Sequence, residues 1–141
     1  MILVDSTVWI DLLRKKEGQH IERLKELLIF HNAAIAPVIF QEILQGGKSP
    51  EDFTRLRDYF ITLPFLYSFD SVLTYEKAGE LYARCRWKGI TPRSPHDCLI
   101  AQIAIEHDVP LLHDDRDFLA IASIDPKLQI DPCSLAYRCR N

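Results

Sequence analysis

Five acidic residues lie at the ends of apolar segments or inside them, where a soluble domain normally has apolar side chains. They are Asp5, Glu42, Asp97, Asp115 and Asp117. A carboxylate removed from water is costly unless it is paired or binds a cation. The chain must therefore fold so that these groups meet a compensating charge. A shared site for Mg²⁺ or Mn²⁺, cations that prefer carboxylate oxygens, meets that requirement.

Length and composition predict one folded domain spanning residues 1–141. The chain has 141 residues, of which 48% are hydrophobic, enough for a sizeable core. No apolar run approaches the length that crosses a bilayer. Asp5 interrupts the only N-terminal apolar run, which also lacks a preceding basic segment, so we predict a cytoplasmic protein without a secretion signal.

Cysteine spacing and net charge exclude further classes. Cys85, Cys98, Cys133 and Cys139 form no C-x-x-C pair, which predicts reduced thiols and neither a zinc site nor a disulfide framework. The formal net charge of −3 argues against a generic basic protein that coats nucleic acids. It does not exclude a nuclease, because bound cations offset acidic residues locally.

Short apolar runs alternate with helical patterns along the chain. We predict strands at 2–4, 33–36, 65–67, 109–112 and 129–130. The first helix is capped by Ser6 or Thr7 and buries Val8, Trp9, Leu12 and Leu13. A second helix runs through Ile21 to Leu28, others start at Pro37, Pro50 and Pro95, and a long one carries Ala78 to Cys85. Their predicted ends include Gly46-Gly47, Gly89 and about His107. This alternation predicts an α/β domain with a mainly parallel sheet.

The predicted elements aim four acids at one edge of that sheet. Ligand crevices of open parallel sheets lie at the carboxyl ends of the strands. Asp5 ends the first strand, and Asp115 follows the 109–112 strand. Asp97 falls in the first turn of its helix, and Glu42 falls in the second turn of another. The order of elements thus allows one shared crevice.

Each acid also has a purely structural interpretation. Asp5 fits a helix N-cap, and Ser94-x-x-Asp97 fits a capping box. Glu42 fits the solvent edge of its helix. In the run 113–118, Asp114 is our choice for a residue that serves only as a turn residue or N-cap. All of these interpretations must hold together to exclude a site, which favours the cation site.

Four segments containing these acids resemble a known family. They are Ile2-Leu3-Val4-Asp5-Ser6-Thr7-Val8-Trp9-Ile10, Gln41-Glu42-Ile43-Leu44-Gln45-Gly46, His96-Asp97-Cys98-Leu99-Ile100-Ala101 and Leu111-Leu112-His113-Asp114-Asp115-Arg116-Asp117-Phe118. In this order they resemble the motifs of PIN-domain ribonucleases, specifically VapC-type toxins of type II toxin–antitoxin pairs. Ser6-Thr7 departs from the commoner order Thr-Ser, and we favour Thr7 as the hydroxyl that supports the metal site.

The resemblance implies a three-layer α/β/α sandwich and endoribonuclease activity that depends on Mg²⁺, with Mn²⁺ as a substitute. It implies that Asp5, Asp97 and Asp115 bind the metal, with Glu42 and Asp117 positioning waters or a second ion. Hydrolysis would leave a 5′-phosphate and a 3′-hydroxyl on a transfer or ribosomal RNA. The implied partners are a cognate VapB-type antitoxin and a second copy of the chain. A groove lined by Trp9, Leu12 and Leu13 is our candidate for the antitoxin helix.

Basic residues are the candidates for holding the RNA backbone. They are Arg14, Lys15 and Lys16 after the first helix, and Arg84, Arg86, Lys88 and Arg93 around the end of the long helix. A solvated face is the alternative, and the favoured one for most of them. Trp87 has two interpretations, stacking on a base or packing in the domain, and we favour packing.

Two other functional classes remain open. A Rossmann-like phosphatase or phosphotransfer domain is one, although Asp5-Ser6-Thr7 lacks the second aspartate of a D-x-D-x-T start. A catalytically silent PIN-like binding scaffold is the other, against which the presence of all the acids argues. Metal-dependent RNA cleavage, compared between the wild type and Asp5→Asn, distinguishes these classes.

Overall fold

The computed structural model describes residues 1–135, and in that range a three-stranded parallel sheet carries seven helices. The strands are β1 (Ile2–Val4), β2 (Ala33–Ala34) and β3 (Leu111–Leu112), in the order β2-β1-β3. Leu3 of the central strand is in register with Ala34 on one side and Leu111 on the other. Cys139 lies outside the described residues.

The helices form two packed groups around this sheet. They are α1 (Ser6–Leu13), α2 (Gln19–Ile29), α3 (Pro37–Leu44), α4 (Pro50–Phe60), α5 (Leu73–Trp87), α6 (Pro95–Glu106) and α7 (Arg116–Ile124). Helix α1 packs against α2 and α3, α3 against α4, and α5 against α6 and α7, while α3 also contacts α6. The predicted α/β class with a parallel sheet and helical layers is confirmed.

Local sequence explains where the helices begin and end. Pro37 occupies the first turn of α3, and the Ser49 hydroxyl at the start of α4 accepts the N–H of Asp52 at 3.1 Å. Gly89 follows α5 with a φ of +77°, a backbone conformation that glycine adopts without steric cost. The prediction that Ser6 or Thr7 caps α1 is wrong, because Asp5 is the cap and accepts the Thr7 N–H.

Two predicted strands are shorter in the structure, and two others are reduced to single bridges. Segments 65–67 and 129–130 each contribute one isolated bridge, Ile35 to Phe65 and Leu111 to Ile130, and neither is a strand. The strands predicted at 33–36 and 109–112 contain two residues each. Pro37 starts a helix that turns the chain away after β2. Pro110 has no N–H to donate, and β3 begins at the next residue.

Aromatic and leucine side chains near α1 and α5 confirm one further prediction, the burial of Trp9, and correct two others. Trp9 is fully buried, donates its indole N–H to the Val4 carbonyl and packs edge-on against Phe60. Leu13, predicted to face inward, is 43% exposed because it is the last residue of α1. Trp87, predicted to pack in the domain, is 75% exposed. It lies two residues after the buried Cys85, on the opposite face of α5.

No helix within residues 1–135 combines the length and apolar character needed to span a bilayer. Cys85, Cys98 and Cys133 are free thiols, and the first two are buried.

Candidate active site

A crevice opens at the carboxyl ends of β1 and β3, where the acidic residues meet. The Asp5 N–H donates to the Leu112 carbonyl at 2.9 Å, which joins the ends of the two strands. We call this the acid crevice and define it by its lining residues: Asp5, Ser6, Thr7, Glu42, Arg93, Ser94, Asp97, Asp114, Asp115, Arg116, Asp117 and Leu135. All five acids predicted as site residues are among them.

Asp5 sits at the base of the crevice and is almost fully buried. Its Oδ2 accepts the Thr7 N–H at 3.1 Å and the Thr7 hydroxyl at 2.6 Å. Burial raises the pKa of the Asp5 carboxyl to about 6, although both hydrogen bonds from Thr7 act to lower it. Asp5 is thus both a helix cap and a carboxylate of the crevice, so its two interpretations are compatible.

Glu42 reaches the crevice from α3. The Ser6 hydroxyl donates to its Oε2 at 3.4 Å. Its Oε1 is buried and accepts no hydrogen bond from the described part of the chain. Burial, followed by the nearby Asp5 charge, raises the pKa of Glu42 to about 7. A buried carboxylate oxygen without a donor needs a cation, a proton or water.

Asp97 enters from the first turn of α6. The Ser94 hydroxyl caps this helix by accepting the His96 N–H at 3.2 Å. Ser94 therefore forms no capping box with the N–H of Asp97, whose side chain is directed at the other acids. Burial raises the pKa of Asp97 to about 8, and the charges of Asp5 and Asp115 add to the effect.

Asp115 and Asp117 close the crevice at the start of α7. Asp115 is the N-cap of this helix, and its Oδ1 accepts the Asp117 N–H at 2.9 Å. Asp114, predicted to be only a turn residue or cap, is therefore not the cap. Instead its N–H donates to the Thr7 hydroxyl at 3.1 Å, which links this loop to the end of β1.

Arg93 is bound to the same two aspartates. Its Nη2 donates to Asp115 Oδ1 at 2.9 Å, and its Nε donates to Asp117 Oδ2 at 3.2 Å. The Arg93 backbone N–H also donates to Asp117 Oδ2, at 3.0 Å. The paired carboxylates raise the pKa of the guanidinium, which stays charged.

The donor atoms in the crevice suit a hard divalent cation. Asp97, Asp115 and Asp117 each offer a carboxylate oxygen, and these three oxygens lie within 4.8 Å of one another. Carboxylate oxygens at this spacing are the ligands that Mg²⁺ and Mn²⁺ prefer. The buried Oε1 of Glu42, which lacks a donor, is a second sign that the site takes an electropositive group. This close group contains Asp117, which the resemblance gave a secondary role, and does not contain Asp5.

The predicted RNA-binding cations lie in different parts of the structure, and most are away from the acid crevice. Of Arg14, Lys15, Arg86, Lys88 and Arg93, only Arg93 lines the acid crevice. Arg14 and Lys15 follow the C-terminal end of α1, whereas Asp5 caps the opposite end, about 12 Å away for a helix of eight residues. Arg86 and Lys88 are exposed at the end of α5. Lys16 lies 3.4 Å from Asp11 in an ion pair.

Sequence reasoning predicted neither Arg116 at the crevice nor the contacts of His20 with Asp11 and Asp114 beside it. Arg116 lines the crevice between the two aspartates of α7, and its position in that motif was the available signal. His20 Nε2 lies 2.9 Å from Asp11 Oδ2 and 3.7 Å from Asp114 Oδ2. The sequence carries no signal for that contact, because it joins α1, α2 and the loop after β3.

Comparison with known proteins identifies the family. A protein-family model described as PIN domain matches residues 2–124. "VapC ribonuclease Mb1587" of Mycobacterium bovis and "Ribonuclease VapC11" of Mycobacterium tuberculosis are each 35% identical over 126 residues, covering 88% of this chain and 93% of theirs.

Solved structures agree with this fold. A chain in the crystal structure of VapBC2 from Rickettsia felis, bound to a promoter DNA fragment, superimposes with a TM-score of 0.71 at 22% identity, covering 93% of this chain and 98% of its own. A chain of DNA-bound VapBC from Salmonella typhimurium gives 0.71 at 21% identity, covering 92% and 96%. The resemblance seen in the four acidic segments is confirmed, and the chain belongs to the PIN-domain family and, within it, to the VapC ribonucleases.

Proposed function

We propose that this chain is a Mg²⁺-dependent endoribonuclease, for which Mn²⁺ substitutes, and the toxin of a VapB–VapC pair. One observation carries the proposal: five carboxylates from four separate parts of the chain line one crevice at the carboxyl ends of parallel strands. The pKa values of Asp5, Glu42 and Asp97 are all raised there, mainly by burial. Such shifts concentrate at functional sites, because folding alone gives no reason to group buried acids.

The residues proposed to hold the cation are Asp97, Asp115 and Asp117, with Asp5 and Glu42 beside them. A divalent cation bound there lowers the pKa of a water and offsets the charge that develops on the scissile phosphate. Both contributions suit phosphodiester hydrolysis, in which no covalent nucleophile from the protein is needed.

The chain's own groups orient the reaction. Thr7 fixes Asp5 through its N–H and its hydroxyl, so that carboxylate keeps one orientation. The Oε1 of Glu42 accepts a hydrogen bond from the attacking water and aligns it for in-line attack on phosphorus. The water oxygen bonds to phosphorus as the P–O3′ bond breaks, and the proton that the water gives up is balanced by the one that ends on the departing 3′ oxygen. The products carry a 5′-phosphate and a 3′-hydroxyl.

RNA binding draws on the cations at the rim of the crevice. Arg93 and Arg116 line it and are exposed, so we propose that they bind phosphates on either side of the scissile bond. Transfer or ribosomal RNA is the substrate class that the family resemblance implies. The exposed indole of Trp87 is free to stack on a base, now that a packing role is excluded.

Cleavage of RNA by matched variants tests the proposal. Wild-type protein with Mg²⁺ or Mn²⁺ should cut RNA and leave 5′-phosphate ends, and EDTA should stop it. Asp97→Asn should lower the rate about 100-fold or more, the scale expected when one charge-stabilising group is lost. Arg57→Gln serves as the control, because within residues 1–135 Arg57 makes its ion pair with the surface residue Asp58 alone. Metal-dependent release of phosphate from small esters without RNA cleavage would favour the phosphatase alternative. Absence of both activities would favour a silent scaffold.

The antitoxin groove predicted from the sequence needs revision. Trp9 is fully buried and cannot line it. The structure instead has a groove between α1, α3 and α4 whose lining includes Ile10, Leu13, Ile43 and Leu56. Arg14, Lys48 and Arg55 border it, with Asp52. We propose that an apolar face of the VapB-type antitoxin packs here, with acidic residues beside the basic rim.

A homodimer, a single domain spanning residues 1–141 and a cytoplasmic location complete the proposal. Large apolar side chains between residues 67 and 75 are exposed and available for self-association: Tyr67, Phe69, Val72, Leu73 and Tyr75. Analytical ultracentrifugation of the purified chain measures this directly, and Val72→Glu should shift a dimer toward monomer. A monomeric wild type at micromolar concentration would contradict the dimer alone.

A further inference from the structure

Arg93 is the cation that neutralises two of the site acids in the structure. Three of its N–H groups donate to Asp115 and Asp117 at 2.9 to 3.2 Å. Both aspartates belong to the close group of carboxylates proposed to hold the divalent cation. An arginine and a metal ion therefore compete for the same negative charge.

The neighbouring arginine of the crevice differs in this respect. Among the described residues that line the crevice, the cationic side chains are Arg93 and Arg116. Within residues 1–135, Arg93 makes ion pairs with Asp115 and Asp117, whereas Arg116 makes none. The charge that offsets these acids thus comes from Arg93, a residue 24 positions before Asp117.

The exposed position of the Arg93 side chain allows it to move away from Asp115 and Asp117. Its side chain is 76% exposed, whereas those of Asp115 and Asp117 are 17% and 18% exposed. It lies in the loop between α5 and α6, so its side chain can swing away without opening the core. Exposed ion pairs are weak, typically about 0.2–1 kcal/mol, so a divalent cation can displace the guanidinium. The planar guanidinium fits a phosphate as well as a carboxylate.

We propose that Arg93 is an exchanging counter-cation, which neutralises Asp115 and Asp117 until a divalent cation enters and then binds a phosphate of the RNA. The inference rests on the proposed function, because it requires that the crevice takes both a divalent cation and RNA. It gives Arg93 two effects of opposite sign: it weakens cation binding and strengthens RNA binding. It also links the two events, since the cation frees the group that holds the substrate.

Two simpler roles of Arg93 predict different changes in the affinities for the cation and for RNA. If Arg93 held the aspartates in position for the cation, its loss would weaken cation binding. If it formed only a surface ion pair, its loss would change neither affinity. The opposite changes in two affinities therefore separate the proposal from both.

Calorimetric titration with Mn²⁺ alone, without RNA, is the first measurement. Arg93→Gln should bind Mn²⁺ about three- to tenfold more tightly than the wild type, the range that corresponds to an exposed ion pair between one cation and two acids. Arg93→Lys should fall between them, because an ammonium cannot bridge two carboxylates with a fixed fork. Arg57→Gln removes an exposed arginine whose ion-pair partner, in the described part of the chain, is Asp58, and it should leave the Mn²⁺ affinity unchanged.

Binding of a single-stranded RNA oligonucleotide is the second measurement. It is made in saturating Mn²⁺ on an Asp5→Asn background, so that the RNA stays intact. Adding Arg93→Gln should weaken binding and lower the slope of log affinity against log salt by about 0.7, the value for one phosphate contact on a single strand. Adding Arg57→Gln should change neither quantity.

Each outcome has one meaning. Tighter Mn²⁺ binding together with weaker RNA binding supports the exchange. Unchanged or weaker Mn²⁺ binding by Arg93→Gln, or unchanged RNA binding, overturns the exchange and leaves the proposed function standing as long as the wild type binds Mn²⁺. Absence of Mn²⁺ binding by the wild type overturns the metal-dependent function and the exchange together.

Discussion

The Thr7 hydroxyl donates a 2.6 Å hydrogen bond to Oδ2 of Asp5. The same hydroxyl accepts the N–H of Asp114 at 3.1 Å. One side chain therefore joins the end of β1 to the loop that carries Asp115 and Asp117. Through this contact the spacing of the acids depends on a residue that is not itself an acid.

Replacing Thr7 with Val tests that dependence. Valine keeps the shape of the side chain but removes the hydroxyl, so Asp5 loses one hydrogen bond and the Asp114 N–H loses its acceptor. We expect RNA cleavage to fall about 10- to 100-fold, as when other supporting groups of metal sites are lost. The free energy of unfolding should fall by about 1–3 kcal/mol because a polar group is left unpaired. Thr7→Ser should retain most of the cleavage rate, and a serine variant as impaired as valine would contradict the role of the hydroxyl.

Removing one buried acid should stabilise the metal-free protein. Asp97 is buried among Asp5, Asp115, Asp117 and Glu42, and its charge is repelled by all of them. In EDTA at pH 8, we expect Asp97→Asn to melt at least about 3 °C higher than the wild type, the shift that roughly 1 kcal/mol produces in a domain of this size. Asp5→Asn should melt at or above the wild type, because asparagine also caps α1. A clear drop in either melting temperature would make that acid a structural residue.

The stability of the metal-free protein should fall as pH rises. Folding raises the pKa values of Asp5, Glu42 and Asp97 to about 6, 7 and 8. Between about pH 4 and pH 8 the folded state therefore binds more protons than the unfolded state, and stability decreases with increasing pH. Urea unfolding in EDTA at pH 5, 6.5 and 8 measures this slope. The gain from Asp97→Asn should be largest at pH 8 and small at pH 5, and a gain independent of pH would point to packing as its cause.

The stabilisation by excess Mn²⁺ should increase with pH, opposite to the trend of the metal-free protein. The cation binds ionised carboxylates, so protons and Mn²⁺ compete for the crevice. We expect Mn²⁺ to raise the melting temperature more at pH 8 than at pH 5.5. Asp97→Asn should reduce this stabilisation, and the control variant Arg57→Gln should leave it unchanged. Equal stabilisation of the wild type and Asp97→Asn would place the cation elsewhere.

The sequence predicted the meeting of the acids because strand order and helix periodicity place them. Asp5 follows an apolar run and Asp97 follows Ser94-Pro95, so their elements could be read locally. The pairing of Arg93 with Asp115 and Asp117 could not, since it depends on how the loop before α6 faces α7. The same limit explains Trp9, whose apolar character fits a groove as well as a core. The packing of Phe60 against its ring and the hydrogen bond from its indole N–H to the Val4 carbonyl decide between them.

Arg93 also changes what an inhibitor would meet in the crevice. An arginine of an antitoxin can pair bidentately with carboxylates and so inhibit a site of this kind. Because Arg93 holds Asp115 and Asp117, the predicted site acids without an arginine partner in the described chain are Asp5, Glu42 and Asp97. We therefore expect an inhibitory cation to pair with these three, or to displace Arg93 first.

The last prediction separates toxicity from its control. Expression of the chain alone should arrest bacterial growth, and Asp5→Asn should abolish the arrest because the acid crevice causes it. Co-expression with the small open reading frame adjacent to this gene should relieve the arrest.

Leu13 lines the groove between α1, α3 and α4, is 43% exposed and is remote from the acids along α1. Leu13→Asp should therefore keep the fold, the RNA cleavage and the arrest, while placing a charge in the groove that weakens antitoxin binding at least about tenfold, the change that 1.4 kcal/mol produces. Growth arrest by Leu13→Asp that persists despite co-expression is the expected result. Full relief of the arrest caused by Leu13→Asp would show that the antitoxin binds outside this groove. An Asp5→Asn variant as toxic as the wild type would overturn the ribonuclease mechanism.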